Sequence, residues 1–334
     1  MLVTSSFFPS EGGVEIHVEA ITRELLKRGH SVTVLVRHTQ RPARLRFGGA
    51  IVYRLPAGRS ALWLWLLLHY QELAAVEVFH SHDHFLPPLK RLFPRKRFVH
   101  TFHGYEGYPI RDQAIAARQL INRTVDASVA VGGFIEKWYG TKCDLVTYGG
   151  IDPIELKPAE KVWDVIYYGR LEPDTGINQY LEAFRLALKA KPDQRILIIG
   201  SGSLSQAVNQ LQSQYPNQIE VRATLPHDQL LRLLNQSRVA GVSGYLAILE
   251  AAYLGKMIVA NYNTPIKRDY LTCHPLARYL VIGQSAKELL EGIQKTAHAN
   301  PAMQAWAKQQ TWAHLTDQYQ ALYESGDDDA RTRN

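Results

Sequence analysis

The sequence predicts an α/β protein with two doubly wound domains, and three observations carry this prediction. Short apolar runs of the buried-strand kind alternate with stretches of helical periodicity along the chain. Several of these runs end in polar or glycine-rich segments, such as HSHDH at residues 80–84 and GSGSL at residues 200–204, as expected where parallel strands end at a cleft. The length of 334 residues fits two domains of roughly 150 residues each.

The first half of the chain repeats strand–helix units. A helix is predicted at residues 14–28 and ends at Gly29, because apolar side chains recur on one of its faces. The members of that face are Val14, Val18, Ile21 and Leu25. The other predicted elements are strands at residues 1–5 and 31–38, a hairpin at 45–54, a helix at 61–73 and strands that run into polar loops at 76–84 and 97–109.

A Pro-, Lys- and Glu-rich segment at residues 153–160 interrupts the alternation and predicts a domain boundary. The predicted domains are residues 1–152 and 153–311. Strands and helices alternate again in the second domain, with helices predicted at residues 179–189, 204–214, 228–235, 245–254 and 286–297. A last amphipathic helix is predicted at 312–325, and the charged tail 326–334 is predicted to be disordered because it has no apolar face.

Composition indicates a reducing compartment. The two cysteines, Cys143 and Cys273, lie far apart in sequence, which argues against a disulfide framework or a zinc ribbon. No apolar run reaches the roughly 18 residues needed to span a bilayer, and the chain begins directly in a strand without a secretory signal. We therefore expect a cytoplasmic protein. The most apolar run, residues 61–70, is predicted to be a buried helix, with an interfacial helix as the alternative.

The formal net charge of +7 is unevenly distributed, with basic clusters in the first domain. Such a surface could meet nucleic acid, anionic lipid or a phosphorylated substrate, or could simply be solvated. Nucleic acid ranks last because no recognition helix, RNA-binding signature or zinc finger accompanies the charge. Peripheral contact with the inner face of an anionic membrane is the hypothesis for the cluster Lys90, Arg91, Arg95, Lys96 and Arg97.

Glycine turns at the ends of strands are candidate phosphate sites. Gly12 and Gly13 stand at a helix N-terminus, where backbone N–H groups and the helix dipole can bind an anion. Their spacing is not GxGxxG, which disfavours a dinucleotide site, and a simple turn is the alternative. Arg170 follows a strand of the second domain and could hold a diphosphate through two hydrogen bonds. Gly200 and Gly202 form a turn suited to close approach by a nucleotide.

Histidines cluster after two strands of the first domain. His80, His82 and His84 occur in HSHDH, and His100 and His103 occur in VHTFHG. A metal site is one interpretation, but histidines at alternate strand positions lack a fixed carboxylate partner here. We predict no metal, and instead a single sugar-contacting histidine at a strand end, His103.

One carboxylate, Glu250, lies in the otherwise apolar helix predicted at residues 245–254. The turn of Ser243 and Gly244 opens this helix, Gly255 ends it, and a buried strand follows. A loop–helix–strand unit of this kind borders the clefts of α/β folds. A solvated surface glutamate is the alternative.

The segments FFPSEGGVEIHVEAITRELLKRGHSVTVLV, VFHSHDH, TFHGYE, YGGID, GRLEPDTGI, GSGS and LEAAYLGKMIV follow one another along almost the whole chain. In this order they resemble the successive signatures of the retaining glycosyltransferases with the GT-B fold, of the family 4 or glycosyl transferases group 1 type. The resemblance implies two Rossmann-like domains that face each other across a cleft. It also implies that the C-terminal helix, in QTWAHLTDQYQALY, crosses back to the first domain.

The resemblance implies a role for each matching residue. Gly12 and Gly13 match the acceptor-side glycine loop near the reacting diphosphate. His103 matches the histidine that contacts the donor sugar, Arg170 the base that holds the donor diphosphate, and Glu250 the carboxylate that binds the ribose. The implied substrate-binding set is completed by Gly200, Gly202, Ser243, Gly244, Ile248 and Leu249.

The implied reaction moves a sugar from a UDP- or GDP-type donor to a hydroxyl of a glycan, glycolipid or cell-envelope precursor. It needs no metal or cofactor, because cations and helix N–H groups stabilise the charge on the departing diphosphate. Two positions depart from the family pattern: Thr175 replaces a lysine and Val242 replaces a glutamate. Lys267 or Arg268 could supply the missing cation. The alternatives are a catalytically silent, glycosyltransferase-like binding protein of a larger complex and, less favoured, a sugar-nucleotide epimerase.

Overall fold

A computed structural model describes residues 1–7, 12–37, 43–295 and 300–325, which form two compact α/β units. Unit 1 comprises Met1–Gly150 and Trp312–Asn334, and unit 2 comprises Ile151–Thr311. The division therefore falls two residues before the boundary predicted from composition. The predicted disordered tail, residues 326–334, and the start of the predicted glycine loop, residues 8–11, lie outside the described residues.

Unit 1 is built on an eight-stranded sheet. Its strands are β1 (Leu2–Thr4), β2 (Thr33–Val36), β3 (Ala43–Phe47), β4 (Ala50–Arg54), β5 (Val78–His82), β6 (Arg97–Phe102), β7 (Ala127–Val131) and β8 (Leu145–Thr147). The spatial order is β3-β4-β2-β1-β5-β6-β7-β8, and every neighbouring pair is parallel except β3 and β4. The predicted hairpin is confirmed at β3–β4, where Gly48 and Gly49 both take positive φ, as a two-residue hairpin turn requires.

Helices connect the parallel strands of unit 1. They are α1 (Gly13–Lys27), α2 (Arg59–Leu68), α3 (Tyr70–Ala74), α4 (Pro87–Leu92), α5 (Asp112–Thr124) and α6 (Phe134–Tyr139). The predicted apolar face of α1 is confirmed at Val18 and Ile21, which are fully buried. The periodicity signal missed α6, which has six residues.

The prediction of one buried helix at residues 61–73 is wrong in two respects. The segment forms two helices, because the backbone of His69 leaves the helical region between α2 and α3. The His69 ring stacks on Trp65, with ring centroids 4.1 Å apart, which stabilises this break. Leu66 is the buried residue of α2, and the outer face of the helix is exposed.

Unit 2 is built on a six-stranded, all-parallel sheet. Its strands are β9 (Trp163–Tyr168), β10 (Ile196–Ile199), β11 (Ile219–Arg222), β12 (Ser237–Val242), β13 (Met257–Asn261) and β14 (Val281–Gly283). Their spatial order is β11-β10-β9-β12-β13-β14. The connecting helices are α7 (Ile177–Ala190), α8 (Ser205–Gln214), α9 (His227–Asn235), α10 (Tyr245–Tyr253), α11 (Pro265–Thr272), α12 (Ala286–Gln294) and α13 (Pro301–Gln309).

A buried apolar core holds the strands of unit 2 in place and so fixes the positions of their ends. The strands are near-continuous apolar runs because helices cover both faces of a parallel sheet. Tyr180 and Phe184 of α7 are fully buried against Val165 of the central strand β9. The loops that follow β9, β10 and β12 at their carboxyl ends are therefore carried by a rigid core.

The last helix, α14 (Trp312–Glu324), packs on unit 1. Tyr319 is fully buried there and its hydroxyl lies 2.9 Å from His17 Nε2 in α1. Arg97 of β6 donates to the Leu322 carbonyl at 2.9 Å. The prediction that the C-terminal helix returns to the first domain is confirmed. None of the helices formed by the described residues combines the length and apolar character needed to cross a bilayer.

Candidate active site

The N-terminus of α1 is a candidate anion site in unit 1. Gly12 is its N-cap in an extended conformation, and no described side chain caps the helix. A Cβ on Gly13 would meet no atom within 4 Å, so packing among the described residues does not require a glycine at that position. The uncapped N–H groups of a first helical turn are suited to an anion. The end of the predicted glycine loop, at Gly12 and Gly13, therefore suits an anion.

Five buried histidines cluster in unit 1, and one of them, His17, belongs to this helix. Each has a hydrogen-bond partner at one ring nitrogen or more: His17 at Tyr319, His80 at Thr101 and Tyr323, His82 at His103, and His100 at Ser81. Burial lowers the pKa of His17 and of His100 to about 3, and it lowers the pKa of His80, His82 and His103 well below the ordinary value. All five rings are therefore neutral at pH 7.

His103, the predicted sugar ligand, follows β6 and is 6% exposed. Its Nε2 lies 3.1 Å from His82 Nδ1. Its backbone is fixed on both sides, because its N–H donates to Asp83 Oδ1 at 2.7 Å and its carbonyl accepts from Arg118. Asp83 has a φ of 52°, an uncommon conformation for a non-glycine residue that is typical of functional loops. This loop is held rigidly at the carboxyl edge of the sheet.

His17, His82 and His103 also form a candidate metal triad that sequence spacing did not indicate. One ring nitrogen from each lies within 4.8 Å of the others. Two of these side chains already bond to each other, the third bonds to Tyr319, and the triad contains no carboxylate. The prediction of no metal is not tested by this arrangement and stays a prediction.

A cavity of about 290 Å³ opens beside the carboxyl ends of β2, β4 and β5. Two guanidinium groups and an imidazole, from Arg37, Arg59 and His84, line it together with Leu62 and Leu86. The lining therefore combines cations with an apolar wall, which suits a ligand that has an anionic group and an apolar part.

In unit 2, Arg170 lies in the loop after β9, where the sequence placed it. Its side chain is 65% exposed and its guanidinium contacts Asp174 at 2.6 Å. Thr175 is buried and its hydroxyl lies within hydrogen-bond distance of the carbonyls of Arg170 and Glu172 and of the Tyr167 hydroxyl. The position that carries a lysine in the family pattern is thus used here to fold the Arg170 loop on itself.

The predicted glycine turn at Gly200 and Gly202 has a structural explanation. A Cβ on Gly200 would meet the Gly169 carbonyl oxygen at 2.0 Å, and a Cβ on Gly202 would meet the Leu171 carbonyl oxygen at 2.5 Å. These glycines let the loop after β10 pack directly on the loop that carries Arg170. A role of these glycines in nucleotide binding is not tested. The close backbone contact alone already requires glycine at both positions.

The predicted turn of Ser243 and Gly244 opens α10, and Lys267 lies against it. The Lys267 ammonium donates to the Ser243 carbonyl and stands 4.0 Å from the centre of the Tyr270 ring. A Cβ on Gly244, the N-cap of α10, would meet no atom within 4 Å. A buried lysine and the N-terminus of α10, whose first N–H donates to the Tyr270 hydroxyl at 2.8 Å, therefore meet at one turn.

Charged side chains of the Arg170 loop influence the pKa of Lys267. Burial lowers the pKa of Lys267 to about 8, Asp174 acts in the opposite direction, and Arg170 lowers the pKa further. Two cations that influence each other in this way suit a multivalent anion. Arg268, the other predicted cation, is exposed on α11. The structure thus brings Lys267 to the predicted diphosphate residues.

Glu250 is buried rather than solvated, at 8% exposure. Its Oε2 accepts from the Tyr168 hydroxyl at 3.2 Å, and its Oε1 lies 2.8 Å from His227 Nε2. Burial raises the pKa of Tyr168 well above its usual range, so that its hydroxyl stays a donor. The hydrogen bond to Glu250 raises the pKa of His227, whose side chain is 64% exposed. The solvated alternative is therefore wrong.

The predicted role of two residues beside Glu250, Ile248 and Leu249, is corrected. The side chains of Ile248 and Leu249 are fully buried in unit 2, so they do not offer the apolar surface beside a nucleotide that was predicted. Only their backbone remains for such a role. Val242, where the family pattern has a glutamate, is fully buried at the end of β12. It therefore presents no side chain to solvent.

Comparison with known proteins follows the same division into two parts. The family described as Glycosyl transferases group 1 matches residues 151–311, and the family described as Glycosyltransferase Family 4 matches residues 11–153. HepE from Anabaena, solved with UDP and glucose, has the same fold with a TM-score of 0.66 and 16% identity, over 97% of this chain and 99% of that one. The chain belongs to the GT-B glycosyltransferases.

Two curated relatives of this glycosyltransferase are named for the same enzyme, phosphatidylinositol N-acetylglucosaminyltransferase, of which each forms one subunit. The human protein is 27% identical over 40% of this chain and 26% of its own length. The Arabidopsis thaliana protein is 22% identical over 78% of this chain and 66% of its own length. The matched region thus spans about a quarter of the length of the human protein and about two thirds of the length of the plant protein.

Sequence reasoning missed the partners of the predicted residues. His17, Arg118, Tyr168 and His227 contact His103 or Glu250, but they lie 15 to 86 positions away along the chain. A histidine one turn into the helix after the glycine loop was the available signal for His17. The other three have no local signal, because parallel strands bring distant segments together.

Proposed function

We propose that this glycosyltransferase moves a sugar from a UDP- or GDP-type donor to a hydroxyl acceptor, with retention at the sugar carbon and without a metal. The observation that carries the proposal is the arrangement of unit 2. It places Arg170, Lys267, the N-terminus of α10 and buried Glu250 in one domain. Cations beside a helix N-terminus suit a diphosphate, and a buried carboxylate suits ribose hydroxyls.

The proposed chemistry follows from the charge that develops when the C1–O bond of the donor breaks. Negative charge accumulates on the departing nucleotide diphosphate, and preorganised cations stabilise it more than they stabilise the donor. Arg170 and Lys267 would supply this stabilisation. The acceptor hydroxyl then forms a bond to the sugar carbon on the face that the leaving group vacated, and its proton passes to the diphosphate oxygen.

Glu250 would bind the ribose by exchanging a partner. Its Oε1 contacts His227, whose side chain is largely exposed and can move aside. Its Oε2 would stay on Tyr168, which is buried. A ribose hydroxyl could therefore take over the position of the imidazole without leaving the carboxylate unpaired.

For the acceptor we propose a molecule with an anionic group and an apolar part. The cavity of unit 1, with Arg37, Arg59 and His84 beside leucines, supports this class. HepE was solved with UDP, and the name of the two curated relatives specifies phosphatidylinositol, which has both an anionic and an apolar part. Release of UDP or GDP from a panel of sugar nucleotides, with and without lipid phosphate acceptors, tests donor and acceptor separately.

A catalytically silent binding protein is the second candidate, because Thr175 and Val242 replace a lysine and a glutamate and both are buried. It predicts nucleotide binding, visible as a thermal shift, without nucleotide release in any donor and acceptor combination. Steady release with an acceptor excludes it.

Replacing Arg170 by alanine is expected to reduce sugar transfer at least about tenfold, the effect of losing one partly exposed cation from the diphosphate site. Arg232→Ala is the matched control, because Arg232 is equally exposed and forms the same i,i+4 ion pair, with Asp228. Initial rates of nucleotide release under saturating donor measure the effect. Equal rates for Arg170→Ala and Arg232→Ala would remove Arg170 from the site.

Nucleotide affinity is expected to fall as the pH rises through 8. The pKa of Lys267 is lowered to about 8 in the free protein, so the side chain is mostly charged at pH 7 and mostly neutral at pH 9. A bound diphosphate favours the charged form, and binding above pH 8 must therefore take up a proton. Calorimetric titration with UDP and GDP in buffers of different ionisation enthalpy measures both the affinity and the proton.

Lys267→Arg is the control for this pH dependence, because a guanidinium stays charged throughout the range. The variant is expected to bind the diphosphate with an affinity that is flat from pH 7 to 9.5. A wild-type affinity that is equally flat would contradict the assignment of Lys267.

A further inference from the structure

The outer face of α2 carries a row of exposed leucines. Leu64 and Leu67 are each 59% exposed and Leu68 is 73% exposed, and Tyr70, at the start of α3, is 46% exposed. Half of the eight large hydrophobic side chains that are exposed in the described residues lie within positions 64–70. Scattered exposed leucines are ordinary, but a contiguous patch on a helix marks an interaction surface.

The inner face of the same helix explains why it stays folded on unit 1. Leu66 is fully buried, and Leu62, Trp63 and Trp65 pack against the same apolar core as Phe79 and Phe98. The helix is thus apolar on both faces, one used for packing and one facing outward. No acidic or basic side chain occurs from residue 60 to residue 68.

Basic side chains border this leucine face. Arg59 is exposed at the first position of α2, and Arg91 and Arg95 are exposed on α4 and just after it. Phe93, between these two arginines, contacts Tyr70 with ring centroids 5.2 Å apart, which places the end of α4 beside α3. Residues 59–98 contain six Lys or Arg and three Asp or Glu.

We propose that unit 1 docks on an anionic lipid bilayer through this surface. Leu64, Leu67 and Leu68 enter the interfacial layer, and Arg59, Arg91 and Arg95 lie among the lipid phosphates. The ten residues of α2 extend about 15 Å, half of the roughly 30 Å hydrocarbon core, so that the helix lies in the membrane plane. Trp63 and Trp65 are half-buried beside the leucine face, at the depth where tryptophan is favoured.

A bilayer fits this surface better than a second copy of the chain. A two-fold contact would place the same patch against itself and bring the bordering arginines of both copies together. An anionic bilayer instead neutralises them. Of the five bases in the predicted membrane cluster, Lys90 bonds to Asp126 and Arg97 to the Leu322 carbonyl. From this cluster the exposed Arg91 and Arg95 carry the membrane contact, together with Arg59 and the leucines.

Sedimentation with lipid vesicles tests the proposal independently of sugar transfer. The full chain is mixed with vesicles of phosphatidylcholine alone or with about one third phosphatidylglycerol. Binding to the anionic vesicles is expected to be at least about tenfold tighter than to the neutral ones, and to weaken as salt is raised. Equal binding to both vesicle types, or none to either, overturns the proposal.

Two sets of variants separate the apolar contribution from the charge. The triple change Leu64→Gln, Leu67→Gln and Leu68→Gln is expected to reduce binding to anionic vesicles at least about tenfold while salt dependence persists. The double change Arg91→Gln and Arg95→Gln is expected to reduce both the binding and its salt dependence. Wild-type binding by either set contradicts the proposed surface.

Leu120→Gln is the matched control for the leucine variants, because Leu120 is 62% exposed on α5 of the same unit but lies outside this patch. It is expected to bind like the wild type. Unchanged thermal unfolding midpoints show that the variants are folded. If the triple variant is unstable, the single change Leu68→Gln, at the most exposed of the three positions, replaces it in the experiment. Sedimentation velocity tests whether a second copy of the chain covers this surface instead. Self-association that is lost in the leucine variants, while their vesicle binding is unchanged, would overturn the proposal.

Discussion

Replacing Lys267 by methionine is expected to reduce sugar transfer about a hundredfold, with the larger part of the loss in kcat. Lys267 is 7% exposed, and its ammonium lies at the turn that opens α10. A cation in a site shielded from water stabilises developing charge more strongly than one in solvent, and a single preorganised group contributes about 2.7–4 kcal/mol in comparable sites. Removing it should therefore slow departure of the diphosphate more than it weakens donor binding.

Methionine keeps the length and apolar stem of the side chain and removes only the charge. Because burial already lowers the pKa of Lys267, its charged form costs stability in the free protein, and the variant is expected to unfold at the same or a higher temperature. Lys308→Met is the control, because Lys308 also stands over a tyrosine ring, that of Tyr253, but on the exposed surface of α13. Rates of nucleotide release and unfolding midpoints are compared for the three proteins.

The result would contradict the assignment if Lys267→Met transferred sugar like Lys308→Met. Thr175 would then replace the family lysine without compensation, and Arg170 would be the one assigned cation left in the described part of unit 2. Lys267→Met could instead raise KM and lower kcat by the same factors as Arg170→Ala. That result would indicate that the two cations act as one site.

Unit 1 is expected to lose most of its stability between pH 6.5 and pH 4.5. Its five buried histidines are neutral in the folded state, with the pKa of His17 and of His100 lowered to about 3. The unfolded chain has histidine pKa values near 6.5, so it binds more protons than the folded chain at every pH between about 3 and 6.5. Stability must therefore fall as the pH falls through this window.

The expected size is large for a single domain. Each histidine that is neutral when folded and protonated when unfolded removes about 2 kcal/mol over these two pH units. Two such histidines would remove about 4 kcal/mol, a substantial part of the 5–15 kcal/mol that typically stabilises a domain. Amide hydrogen exchange in β5 and β6 measures the free energy of unfolding of unit 1 separately from that of unit 2.

His100→Leu tests whether the cluster causes the acid sensitivity. The decisive quantity is the slope of the unfolding free energy against pH, and not the stability at neutral pH. This slope measures the protons taken up on unfolding, whose number should decrease by about one. His314→Gln, at an exposed position of α14, should keep the wild-type slope. A wild-type stability that does not change from pH 6.5 to 4.5 would contradict the neutral state of these histidines.

The sequence was sufficient to predict the architecture. Alternating apolar runs and amphipathic stretches predicted two parallel α/β domains, and the family resemblance implied that the last helix returns to the first domain; both are confirmed. The first of these features depends on periodicity within single elements, a property that neighbouring residues determine. The same reasoning correctly placed Arg170 and the Ser243–Gly244 turn at strand ends, because a loop after a parallel strand is defined by local chain order.

Local periodicity was insufficient where an element is apolar all round. In α2 the leucines at positions 64, 66, 67 and 68 are chemically equivalent, and burial of Leu66 alone is decided by the neighbouring strands and α4. The prediction of a buried helix failed there, and the exposed face became visible only in the fold. The side chains of Ile248 and Leu249 failed as nucleotide contacts for the same reason, since the core of unit 2 covers them completely.

The sequence by itself determined the order of the elements, the turns that join them and the residue types at the strand ends. The tertiary structure alone decided which of these residues meet: Lys267 with the turn before α10, Glu250 with Tyr168 and His227, and His17 with His103. The physical reason is that parallel strands pair segments far apart in the chain. Burial, and with it the pKa of each group, arises from that pairing and is encoded in no single stretch.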